Sequence, residues 1–142
     1  MPALAIKGAA RAIDWYKKVF NATEKLTLTN PDKSIAHGEI IIAGSLIMVS
    51  EENQQYNKSP KTLGGNSVNL CVYVADVDDV IKMAELNGAK IIIPAEDQFY
   101  GDRSGRFEDP FGYIWIVSTA KKKISAEEMQ RLMDIWAKEQ VQ

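Results

Sequence analysis

The chain has 142 residues, 46% hydrophobic and 25% charged, with 17 basic and 19 acidic side chains and a formal net charge of −2. It suits one globular domain that buries about 68–70% of its extended surface without disulfides or a structural metal, and its single cysteine, Cys71, excludes an internal disulfide. No basic stripe of a nucleic-acid binder is present beyond Lys121, Lys122 and Lys123, no apolar run nears the ~20 residues of a membrane span, and Met1-Pro2-Ala3-Leu4 lacks the features of a signal peptide, so a cytoplasmic protein with no nucleic-acid or membrane partner is expected.

In chain order, "ALAIK" reads as a short strand, and Ala12, Ile13, Tyr16, Val19 and Phe20 recur at helical spacing. Three strands follow, "TEKLTLT", "SIAHGEIIIA" and "SLIMVS", with "NPDKS" as the turn between the first two. The series then begins again with "NLCVYV". Asp76 is placed as an N-cap, Asp78 and Asp79 in the first helical turn, Val77, Val80, Ile81 and Ala84 on the apolar face, and Gly88 at C′. "AKIIIPA", a short piece near "GRFE", and "YIWIVS" complete it. A displacement of 68 positions lays Leu4 on Val72, Ile13 on Ile81, Gly44 on Gly112 and "GSLIMVS" on "GYIWIVS", and this register is expected to hold without a gap. The chain therefore reads as two βαβββ modules, about 1–52 and 67–120, within one domain of residues 1–120. A helix over 124–139 follows, with Ser125 and Glu128 in capping-box spacing, Ile124 stapled to Met129, and Met129, Leu132, Met133 and Trp136 on one face. That helix packs on its own domain or serves a dimer contact.

Strand alternation sorts the faces. Val68, Leu70, Val72 and Val74 oppose Ser67, Asn69, Cys71 and Tyr73, while Gly38, Ile40 and Ile42 oppose His37, Glu39 and Ile41. The apolar faces belong under the helices, with Trp115 among them; Trp15 falls beside the helix stripe, at a rim or interface. The mixed faces have the composition of a ligand site, apolar with a few polar anchors.

The paired modules, the "IDWYKKVF" helix and above all "DQFYGDRSGRFEDPFGYIW" resemble the vicinal oxygen chelate superfamily of glyoxalase I, bleomycin-resistance proteins and extradiol dioxygenases. The resemblance runs from residue 1 to about 135, and the 97–112 motif is similar to the PhnB-like branch, also labelled demethylubiquinone-methyltransferase-like. It implies an α+β fold: two tandem βαβββ modules forming a U-shaped mixed sheet around a cavity, plus a C-terminal helix, commonly as a homodimer. Metal-dependent members take one ligand from the first and one from the last strand of each module; here those positions fall on Met1, Met48, Asn69 and Ile116. Ile116 has no donor, Met48 a soft thioether and Asn69 a weak amide oxygen, whereas a hard or borderline divalent ion wants carboxylate or imidazole. With one histidine, a two-His-one-carboxylate iron site cannot form within one chain. No metal and no cofactor are expected. No Gly-rich turn for a methyl donor follows a strand, which sets methyltransferase chemistry aside.

His37 and Glu39 are the candidate acid/base pair or polar anchor; the plainer reading is a hydrogen-bonded pair on a half-open sheet. Asn69, Tyr73, Phe99, Tyr100, Arg103 and Phe107 are the candidate ligand-binding residues, with Arg103 offering its planar fork to a carboxylate or phosphate. The plainer reading of Arg103 is a surface pair with Asp102, worth little. Asp109-Pro110-Phe111-Gly112 reads as a turn, and Cys71 as a small buried hydrophobe rather than a nucleophile. The functional expectation is a metal-independent protein that sequesters an aromatic or amphipathic small molecule. The alternative is a lyase or isomerase that moves protons with His37 and Glu39.

Overall fold

A computed structural model describes residues 1–141. The first module comprises β1 (Ala3–Ile6), α1 (Ala9–Phe20), β2 (Thr23–Thr29), β3 (Ile35–Ile42) and β4 (Ser45–Glu51). The second comprises β5 (Asn69–Tyr73), α3 (Val77–Leu86), β6 (Lys90–Asp97), β7 (Asp102–Glu108) and β8 (Ile114–Ala120). Between them lies α2 (Pro60–Leu63), a single turn the periodicity does not reveal, and after them α4 (Ala126–Val141). Each module builds a four-stranded sheet, β1-β4-β3-β2 and β5-β8-β7-β6, in which the first and last strands pair in parallel and the rest antiparallel. Parallel neighbours need a crossover, and α1 and α3 supply the start of it. β7 is a full seven-residue strand rather than a short piece.

The helix starts are satisfied differently in the two modules. The free N–H groups of Gly8 and Ala9 donate to the two carboxylate oxygens of Glu51, each at 3.0 Å, so the end of β4 caps α1. At the equivalent place Thr119 Oγ accepts from Val77 N–H at 2.9 Å, and Asp76 caps α3 as its sequence suggests.

The helix-facing sides of both sheets close on one core. Phe20 of α1 reaches Trp115 of β8 at a centroid distance of 4.6 Å and Phe107 of β7 at 6.0 Å. Trp15 is not at a rim: it is only 7% exposed, lies 5.8 Å from Phe107, and donates its indole N–H to Asn87 O at 2.8 Å. A helix of the first module thus fills the core of the second, and Tyr113 of the second donates its hydroxyl to Ala5 O of the first at 2.8 Å.

The internal register is corrected at one point. Ala3 opposite Met48 becomes Cys71 opposite Ile116, and Leu4 opposite Val49 becomes Val72 opposite Val117, a displacement of 68. In the antiparallel pair, however, Gly38 faces Val49 while Gly105, not Arg106, faces Val117, so β3 and β7 correspond at 67. The connection from Glu108 to Ile114 is one residue longer than that from Ile41 to Leu46, which restores the offset.

α4 is capped by Ser125, whose Oγ accepts from Glu128 N–H at 3.2 Å. Glu128 does not complete a capping box; its carboxylate accepts from Arg131 instead. None of the α4 residues is fully buried, and Met129, Met133 and Trp136 remain exposed. The helix meets the body of the domain at Phe99, 6.1 Å from the Trp136 ring. Among the described residues no helix is long and apolar enough to cross a membrane.

Candidate functional site

Strand alternation leaves one face of each sheet free of helices. On β3 and β4, Ile40, Ile42, Ile47 and Val49 are buried under α1, while His37, Glu39, Ile41, Leu46 and Met48 are half-buried on the other side. There His37 Nε2 lies 3.1 Å from Glu39 Oε2. Two-residue spacing on one strand puts both side chains on one face, and the next strand places Met48 opposite Glu39. On the second sheet the equivalent face carries Asn69, Cys71 and Tyr73 of β5, all exposed, so Cys71 is not the buried side chain expected, and Ile116 of β8 stands opposite both Cys71 and Arg106.

The site residues expected from sequence do not gather in one place. His37 and Glu39 stand on the open face of the first sheet, and Asn69 and Tyr73 on that of the second. Tyr73 donates its hydroxyl to Asp102 at 2.6 Å, and this bond to a carboxylate raises the phenol's pKa. Arg103 does not join them. It shares the parity of Gly105 and Phe107 on β7, toward α3, and its guanidinium donates to both Asp78 oxygens at 2.9 and 3.0 Å and to Asp97 at 3.2 Å. Hydrogen bonding from Arg103 holds the Asp78 carboxyl below its ordinary value. The pair anticipated for Arg103 is therefore with Asp78 and Asp97, not with its neighbour Asp102. Phe107 does not close over a cavity: it is 0% exposed, in the aromatic core. Phe99 and Tyr100 meet edge to face at 5.3 Å and point to different clefts. Phe99 faces Arg103, Ile124 and Leu132, and Tyr100 faces the open side of the second sheet.

That last cleft, of about 180 Å³, brings Tyr100 together with Ile93, Ser104, Arg106 and Ile116. Arg106 is half-buried and makes no ion pair among the described residues, in contrast to Arg103. Sequence reasoning passed over it. The available signal was alternation on β7: buried Phe107 turns its neighbour Arg106 to the open face. The 67-residue correspondence makes Arg106 the counterpart of Glu39, so equivalent positions on the two open faces carry opposite charges.

The donor set at the superfamily's ligand positions does not fit a hard or borderline divalent ion. Ile116 offers hydrocarbon between Cys71 and Arg106, Met48 a thioether beside Glu39, and Asn69 an exposed amide opposite Ile114. Among the described residues no three His, Cys, Asp or Glu side chains gather as a metal site.

A protein of Mycobacterium bovis is 34% identical to this chain over 136 residues, covering 93% of this chain and 90% of the relative. Among solved structures, TioX from Micromonospora sp. ML1 superposes with a TM-score of 0.67 at 26% identity, covering 88% of this chain and 98% of that one. A PhnB protein from Bacillus cereus gives 0.65 at 16% identity, covering 84% and 98%. Residues 2–117 match the family described as the Glyoxalase/Bleomycin resistance protein/Dioxygenase superfamily. By that match, spanning both modules, and by the two four-stranded sheets that carry it, the chain belongs to the glyoxalase/bleomycin resistance protein/dioxygenase superfamily.

Proposed function

We propose that this chain binds a small aromatic or amphipathic molecule on its open sheet faces without the metal that many of its relatives use, and that it acts by sequestration. The observation that carries the reading is the composition of those faces. Half-buried Ile41, Leu46, Met48 and Ile116 supply apolar surface, while the His37–Glu39 pair and the unpaired Arg106 supply a few polar anchors. Ligand sites combine these elements. Sequestration needs no catalytic group, only burial of apolar area and satisfied polar contacts. The ligand's acidic or acceptor group meets Arg106, and its ring system lies on Ile116 and the facing apolar residues.

A homodimer completes this reading. Each open face carries apolar side chains without a cover, and Glu39 on one sheet and Arg106 on the other provide complementary charges for a two-chain cavity. The 97–112 motif supports placement in the PhnB-like branch. A single exposed thiol, Cys71, suits a reducing cytoplasmic compartment.

The His37–Glu39 distance of 3.1 Å favours one alternative, a metal-independent lyase or isomerase. With Nε2–H donating to Glu39, Nδ1 is left as the base, and the carboxylate stabilises the imidazolium formed on proton uptake. Native mass spectrometry of the purified protein tests the main reading. A dimer carrying a stoichiometric organic molecule and no divalent metal is expected; one metal per chain refutes it.

A further inference from the structure

We infer a second binding site at the seam between the modules, one that takes a small apolar carboxylate. The seam lies where the starts of β1 and β5 diverge beneath the linker that carries α2. It encloses a cleft of about 630 Å³, separate from the open faces described above. Pro60, Val68, Leu70 and Tyr113 give it apolar walls. Lys58 is its one charged lining residue, and it makes no ion pair among the described residues.

The linker wall is built rather than draped. Glu52 Oε1 accepts from Ser59 N–H at 3.1 Å and from the Thr62 hydroxyl at 2.6 Å. Pro60 is buried against Gly112, where any Cβ would come within 2.8 Å of the proline ring. The opposite lip turns through Gly64 and Gly65 into Asn66. Asn66 Oδ1 accepts from Val68 N–H at 2.9 Å, which fixes the orientation of the amide. Its Nδ2 is thereby left as a donor, and it is buried with no acceptor among the described residues. An unsatisfied buried donor is a standing cost.

These features select the occupant's chemistry. An ammonium at the rim and an orphan N–H in the wall both ask for an acceptor, and among the described residues no acid lines the cleft to compete for them. A carboxylate satisfies both, entering by a small displacement of the Gly64–Gly65 turn, while the apolar walls take a ring or branched aliphatic body. The site needs neither His37 nor Arg106, so it stands independently of the open-face reading.

The test is titration of the ¹⁵N-labelled full chain with 2-naphthoate, using 2-naphthamide as the neutral comparison. Naphthoate is expected to shift the amides of Gly65, Asn66, Val68 and Leu70 and the Asn66 side-chain NH₂, and to bind more tightly than the amide. Lys58→Gln should weaken it about fivefold. Asn66→Asp keeps the acceptor for Val68 N–H and replaces the donor with a like charge, so it should weaken naphthoate at least about tenfold. Val68→Trp should fill the cleft and abolish the shifts. Naphthoate shifts confined to the open faces, equal binding of the neutral amide, or unchanged affinity in Lys58→Gln and Asn66→Asp each overturn the assignment.

Discussion

The hydroxyl of Tyr16, on the first module's helix, donates to Asp109 Oδ2, on the second module's turn, at 2.6 Å across 93 positions of sequence. Asp109 is 2% exposed and accepts three more bonds: from Trp115 Nε1 at 2.9 Å, and from the backbone N–H groups of Phe111 and Tyr113 at 2.9 and 3.0 Å. The turn read from sequence as a structural signature is thus a clasp that organises its own backbone and binds both modules. Removing the carboxylate strands four buried donors at once. Asp109→Ala should cost about 3–5 kcal/mol of unfolding free energy. Tyr16→Phe should cost about 1–3 kcal/mol, since it removes one of four bonds. Urea unfolding measures both; a loss for Asp109→Ala no larger than for Tyr16→Phe contradicts the clasp.

The same aspartate should leave a recognisable pH signature. Burial pushes its carboxyl above the ordinary value, against the opposing effect of the bonds from Tyr16 and Trp115. Between the unfolded value, about 3.9, and the higher folded value, the native state binds more protons than the unfolded one. The pH-dependent part of its contribution is therefore present below about pH 4 and is lost as pH rises through the folded value. Asp78 behaves oppositely. Arg103 depresses its carboxyl, so its contribution is present above the unfolded value and is lost as pH falls through the folded one. Unfolding measured across the acid range for wild type, Asp109→Asn and Asp78→Asn should give differences of opposite slope. Parallel slopes would refute the assignment of causes.

Gly38 and Gly105 occupy matching positions in their modules, each beneath a matching helical isoleucine. A Cβ on Gly38 would lie 3.3 Å from Ile13 Cδ1 and 3.0 Å from Val49 O; one on Gly105 would lie 3.0 Å from Ile81 Cδ1 and 3.2 Å from Ala95 N. Gly105 has β6 backbone as well as a side chain against it, so relaxation is limited. Gly105→Ala should destabilise by about 1–3 kcal/mol through overpacking, read as a lowered urea midpoint with unchanged m. A neutral result would show that α3 can lift from the sheet without loss.

These two glycines also mark how far the sequence could be read. Helix periodicity and strand alternation, which reflect local backbone periods, and the 68-residue displacement located the elements of both modules, although β7 reads as a short piece and runs the full length of Asp102–Glu108. The one-residue slip at β3 and β7 was hidden, since Gly38 and Gly105 match only at 67 and the longer turn after Glu108 restores the count. Arg103 and Phe107 carried no local mark of their parity. Which of two adjacent β7 residues faces the helices depends on that slip, and reading it correctly would have exchanged Arg103 for Arg106 as the open-face arginine. The burial of Trp15 has no mark in the helix pattern for a related reason: its contacts, Phe107 and Asn87, lie in the other module. α2 carries a short start and stop signal, Ser59 as N-cap, Pro60 in the first turn and Gly64 at its left-handed end, but the residues that seat it, Glu52 and Gly112, lie outside "SPKTL".

Arg106 and His37 separate binder from enzyme. If the open faces hold an acidic or acceptor-bearing ligand, Arg106→Gln should remove a charge-assisted hydrogen bond and lower affinity by about 1.5–3 kcal/mol, roughly ten- to a hundredfold. His37→Gln should then cost little, because the amide of glutamine can donate to Glu39 in place of the imidazole. Proton transfer demands the reverse. His37→Gln should reduce turnover about 100-fold or more while leaving affinity nearly intact. Arg103→Ala serves as the control, since its guanidinium is occupied by Asp78 and Asp97: it should change stability at the α3 edge and leave open-face affinity unaltered. The ligand recovered by native mass spectrometry supplies the probe for calorimetric titration and for turnover on all three variants. Loss of affinity in Arg103→Ala but not in Arg106→Gln would move the site from the open face to the cleft beside α4.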